Sequence, residues 1–213
     1  MTIRTASFLV LLPLTAACSD GAPPSEPLSE TAATAAAPAA EPMTHGDMPM
    51  GGAVKPPTTD AEVIASAMSA APDAVSRDAT VLGFDEKMQP RTLRTGTNGW
   101  TCMPDMPHSP GTDPMCVDQN GMAWAEAWMT RKNPPAGQMG FGYMLMGGSD
   151  ASNTDPFAMK PAEGGAWVDT GPHVMVLNIG DAFAGYPTKP DNPKAPYVMF
   201  PNTPYAHLML PVR

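Results

Sequence analysis

Two short segments pair a histidine with a methionine two residues on: His173-Val174-Met175 and His207-Leu208-Met209. Imidazole nitrogen combined with thioether sulfur is a donor set that selects Cu(I) over harder ions. Side chains of an extended strand alternate between its faces, so in each segment the His and the Met point the same way. If the two segments are neighbouring strands, His173, Met175, His207 and Met209 share one site. The same residues have a plainer use. Met175 and Met209 then fill a core and the histidines take local hydrogen bonds, because Val174, Val176, Leu208 and Leu210 suit a packed sheet in either case.

A third cluster, Met43, His45, Met48 and Met50, repeats the donor types near the start of the chain. It resembles the Met and His tracts of exported copper-resistance proteins. The paired strands are similar to the His-x-Met element of periplasmic copper chaperones, without the further ligands those proteins place at set spacings. Beyond residue 17 the chain has 17 methionines against 7 leucines. Methionine is flexible and specifies packing poorly, so the excess asks for a reason. Copper handling is one, reversible oxidation to sulfoxide is another, and indifferent core filling is the third.

Cys102 and Cys116 enclose 13 residues that include four prolines and one glycine, a composition that continues neither a helix nor a central strand. A disulfide closing a loop of this length stabilises a fold by roughly 3 kcal/mol. As ligands the two cysteines match no zinc spacing, although Met103, Met106, His108 and Met115 between them are soft or borderline donors. Asp118-Gln119-Asn120-Gly121 lacks the alternating oxygens and distal Glu of a calcium loop and reads as a helix cap. No nucleophile elbow, His-Glu-x-x-His, phosphate-binding loop or dinucleotide fingerprint is present. Asp105, Asp113, Asp150, Asp155 and Asp169 lie in turn-rich segments where an acid–base pair has room to form. Trp100, Trp124, Trp128 and Trp167 suit either a core or a ligand groove.

These residues belong to a chain that begins like an exported one. Arg4 precedes the apolar run Phe8 to Leu14, which is too short to span a bilayer, and small residues follow, so residues 1–17 read as a signal peptide. Thr15-Ala16-Ala17-Cys18 resembles the bacterial lipobox, with Thr15 where an apolar residue is usual. That resemblance implies acylation of Cys18, and Ser19 in place of Asp implies an outer-membrane lipid anchor facing the periplasm. A secretory signal cut elsewhere is the alternative. With Cys18 acylated, Cys102 and Cys116 are left to pair in an oxidising compartment. The 12 basic and 21 acidic residues give a net charge of −9, which excludes a nucleic-acid partner.

Residues 18–58 are rich in Ala, Pro, Glu, Ser and Thr and read as a disordered tether with a reach of roughly 35 Å. Residues 59–213 form a single globular domain. Thr59 and Glu62 have capping-box spacing ahead of a helix that ends near Ala71. A strand over Ala79 to Leu82 is broken by Gly83, and Leu93 to Trp100 holds another. A second helix runs from Gly121 to Lys132, capped by Asp118 or Asn120 and stopped by Asn133-Pro134-Pro135. Strands follow at Gly140–Met146, Trp167–Asp169, Val174–Ile179, Tyr197–Phe200 and Tyr205–Val212. The expected fold is α+β and mainly β: one antiparallel sheet or sandwich, about two packed helices, long Pro/Gly-rich loops and one disulfide.

Gly96-Thr97-Asn98-Gly99-Trp100-Thr101-Cys102, Asp113-Pro114-Met115-Cys116, Ala151-Ser152-Asn153-Thr154-Asp155-Pro156, Gly171-Pro172-His173 and Thr203-Pro204-Tyr205-Ala206-His207 together resemble a set of uncharacterised secreted bacterial proteins. The resemblance covers most of the chain after residue 79, implies one domain, and brings no activity or ligand. The functional expectation is a periplasmic lipoprotein acting as a non-catalytic binding module for Cu(I). An envelope structural or protein-interaction lipoprotein without metal is the alternative. An enzyme, with loop carboxylates meeting His108 or His173 in a deep pocket, is the third reading.

Overall fold

The computed structural model describes residues 57–190 and 195–212. The signal peptide, Cys18 and nearly all of the tether, with Met43, His45, Met48 and Met50, lie outside the described residues.

Helix α1 (Asp60–Ser69) starts on the expected capping box: Thr59 Oγ1 accepts from Glu62 N at 3.3 Å, and the Glu62 carboxylate accepts from Thr59 N at 2.9 Å. A one-turn helix, α2 (Asp73–Ser76), follows Pro72. Strand β1 (Thr80–Phe84) runs through Gly83, which does not break it: a Cβ there would stand 3.0 Å from Leu93 Cδ1 of strand β2 (Pro90–Arg94), so the glycine lets that leucine pack. β2 starts earlier than its apolar residues suggest. It is an edge strand, where Pro90 has no ladder bond to lose.

The cysteine loop is framed by two short strands, β3 (Thr101–Met103) and β4 (Met115–Val117), which put Cys102 directly opposite Cys116. The two are disulfide-bonded, with Cα atoms 4.0 Å apart. Helix α3 (Gln119–Met129) is capped by Asp118, whose Oδ1 accepts from Gly121 N at 2.7 Å. It ends before Asn133-Pro134-Pro135. Arg131 adopts φ 55°, Arg131 N donates to Trp128 O and Lys132 N to Ala127 O, closing a Schellman motif without the usual glycine.

The remaining strands are β5 (Gly140–Met144), β6 (Ser149–Asp150), β7 (Val168–Asp169), β8 (His173–Leu177), β9 (Tyr197–Met199) and β10 (His207–Pro211), with a 3-10 turn at Gly180–Phe183. Eight strands form one sheet in the order β2-β1-β3-β4-β5-β8-β10-β9, and β6 pairs with β7 as a separate ribbon. The fold is α+β and mainly β, as expected, but the sheet is mixed because β1 and β3 are parallel. After β2 the chain crosses under the start of β1 to reach its other edge. Gly96 makes that crossing, where a Cβ would lie 2.2 Å from the backbone of Ala79 and Thr80.

Both faces of the sheet are covered. On one, α1 lays Ala67 and Ala70 against Val81, Cys102 and Cys116, and the 3-10 turn sets Phe183 over Val198 and Leu208 at the far end. On the other, α3 packs Trp124 and Ala125 against Met175, Leu177, Tyr197, Met199 and Met209. This second face carries the histidines.

Candidate functional site

β8 and β10 are antiparallel neighbours, with Met175 opposite Met209, His173 opposite Pro211 and His207 opposite Leu177. Directly paired residues share a face, so His173, Met175, His207 and Met209 all project to the α3 side. The register nonetheless puts the two histidines at opposite ends of the pair. Four residues of strand separate their backbones, about 13 Å. Each ring is also anchored outward: His173 Nδ1 meets Gly171 O at 2.7 Å and His207 Nδ1 meets Tyr205 O at 2.9 Å. Two nitrogens on one ion must approach within roughly 4 Å, twice a metal–nitrogen bond. The methionines are brought together and the histidines are not.

The two imidazoles have different surroundings. His207 stands edge-on to Trp124, centroids 5.3 Å apart, and to Phe200 at 5.5 Å. Burial pushes its pKa down to about 4, with the Tyr205 carbonyl opposing and the charge on His173 adding to the fall. His173 is 1% exposed, and its Nε2 has no hydrogen-bond partner among the described residues. Burial lowers its pKa as well, against the Gly171 carbonyl, which favours the neutral ring, the form that binds metals.

Opposite His173 on its other side stands Met144 of β5; Met144 and Met115 both pack against the core cluster on this face, and Met115 pairs with Met103. Met199 pairs with His207. Six methionines therefore share this face with the histidines: Met103, Met115, Met144, Met175, Met199 and Met209. Met144 carried no sign in the sequence, since it sits in Tyr143-Met144-Leu145-Met146 without a histidine nearby. Its place beside His173 comes from the β5–β8 register, which period-2 alternation does not reveal.

Three of the loop carboxylates also come together. Asp105 Oδ1 accepts from Asp113 N at 2.9 Å, and Asp113 accepts from Met106 N and Ser109 Oγ. Burial pushes Asp105 up to about 6, with the adjacent Asp113 carboxyl contributing, and Asp150 up to about 7, with the charge of Asp113 adding. Asp155 and Asp169 cap turns instead, accepting from Phe157 N and Gly171 N. His108 is exposed on the cysteine loop. Among the described residues no three His, Cys, Asp or Glu side chains are placed to hold a metal ion. The open cleft between β3 and α3, about 260 Å³, is lined by Gly99, Thr101, Gln119, Met122, Ala123 and Glu126 and touches none of the carboxylates above.

No protein-family model matches this chain, and neither does any curated protein or solved structure. The chemistry of the site therefore rests on its own residues. Thioethers and one free imidazole nitrogen offer lone pairs to a soft cation and nothing to a hard one.

Proposed function

We propose that this chain is an exported, lipid-anchored and non-catalytic binding module for Cu(I), held to the outer membrane through acylated Cys18. The observation that carries the reading is the buried His173, whose Nε2 has no partner among the described residues, on a sheet face lined by six methionines. An unpaired polar group in a core costs about 1–3 kcal/mol, a cost that a bound cation removes. Anaerobic titration of the mature chain with Cu(I) against a chromogenic chelator tests the reading. Withdrawal of one Cu(I) per chain is expected. A chain that takes no Cu(I) from the chelator returns His173 and the methionines to packing.

One observation favours the second reading, an envelope interaction protein. Between α1 and the 3-10 turn, Phe141 is 38% exposed and Val174, Val176 and Leu210 are half-buried. A photo-crosslinker at Phe141 that captures an envelope protein in cells, from a chain that binds no Cu(I), selects this reading.

A further inference from the structure

The β5–β8 strand pair, and not the β8–β10 pair that carries both His-x-Met segments, sets one imidazole and two methionines at neighbouring positions of a single sheet face. We infer that Cu(I) is held by His173 Nε2 and the thioethers of Met144 and Met175. This assignment rests on the Cu(I) reading above and names its ligands.

Three relationships support the set. Met144 is the direct cross-strand partner of His173, which brings their Cβ atoms to about 5 Å. Met175 is two residues along the same strand on the same face, about 7 Å away along the backbone. Its side chain leans toward β5 and away from Met209: the Met175 methyl Cε lies over Gly142, 2.6 Å from where a Cβ would stand. The glycine opposite Met175 is the opening that admits the thioether between the two strands.

The set also explains access. His173 and Met175 are buried, whereas Met144 and its neighbour Met115 are half-exposed. Met144 is then both a ligand and the point of entry, so an ion reaches the imidazole without opening the core under α3. His207 is excluded by its distance from His173 and by the Trp124 and Phe200 rings around it. One imidazole and two thioethers make a three-coordinate, uncharged set of soft character that suits Cu(I) and leaves no position for a hard cation's oxygens.

The test compares conservative variants of the mature chain in the same chelator competition, with circular dichroism confirming the fold. Met144→Leu and Met175→Leu are each expected to weaken Cu(I) binding by about tenfold or more, the loss typical of disturbing a metal's ligand environment. The exposed Met159→Leu is the control expected to leave it unchanged, and Met209→Leu, on the same face but outside the set, is expected to weaken it less than either ligand variant. X-ray absorption of the Cu(I)-loaded wild type should show one nitrogen and two sulfur neighbours. Weakening by Met209→Leu but not Met144→Leu, or two nitrogen neighbours, overturns the assignment while Cu(I) binding itself stands. A wild-type chain that binds no Cu(I) refutes the parent reading and this one with it.

Discussion

Met175 lies directly opposite Gly142 across the β5–β8 pair, and its Cε fills the space a side chain at 142 would need, 2.6 Å from an ideal Cβ position. Val117 Cγ1 closes the other side at 3.3 Å. Gly142→Ala therefore forces the thioether to move. Because the clashing atom is the end of a flexible chain, the cost in stability is small for an overpacked core, about 1 kcal/mol. Chemical denaturation should show that modest loss. On the ligand set proposed above, Cu(I) affinity depends on where the Met175 sulfur sits and should fall further than stability does.

The disulfide makes a prediction of its own. Cys102 and Cys116 close a loop whose strands are only three residues long on each side, so β3 and β4 have few other ladder bonds to hold them. Replacing both cysteines by alanine should cost roughly 3 kcal/mol by the closure-entropy relation. Denaturant midpoints of the wild type with and without reductant should differ in the same sense, and the double variant should be insensitive to reductant.

Much of this architecture is legible in the residues, and the gaps have physical causes. Thr59 with Glu62 and Asp118 before Gly121 mark both main helices because side-chain capping is local. Alternation marks β5, β8, β9 and β10 within a few residues. β3, β4 and β6 escape because two or three residues carry no period. Gly83 misleads because a glycine inside a strand signals either a break or a close neighbour, and only the position of Leu93 decides which. The candidate site is half legible: His173 and Met175 stand out as a pair, and the shared face of the four His-x-Met residues follows from alternation. Their register does not, and register is what separates His173 from His207 and sets Met144 beside His173.

Capping of α1 gives a stability test away from the site. Thr59→Ala removes the hydroxyl acceptor for Glu62 N and should cost about 1 kcal/mol. The partner carboxylate titrates with it. Backbone and hydroxyl hydrogen bonds from Thr58 and Thr59 pull the pKa of Glu62 down to about 2 from an ordinary 4.5. A lowered folded value means that the support is present above about 4.5 and is lost as pH falls toward 2. Thermal melts of wild type and Glu62→Gln should therefore differ at neutral pH and converge in strong acid.

The half-buried carboxyl at Asp150 works in the opposite direction. Burial raises its pKa from 3.8 to about 7, and Asp113 adds repulsion, while Asp169 and the hydroxyl of Tyr197 lie on the same side. A carboxyl with a raised folded value stabilises most when protonated in both states, below about 4, and loses that contribution as pH rises through the folded value near 7. Asp105, raised to about 6, acts in the same sense. His207 opposes both, since its value falls from 6.5 to about 4 and its contribution is lost as pH drops through that window. The two trends offset one another between pH 4 and 6.5, and above 6.5 Asp150 acts without that opposition. Asp150→Asn removes the charge and keeps the size, so it should raise the melting temperature at pH 8 and give no gain at pH 4. An equal shift at both pH values would place the effect in packing instead of ionisation.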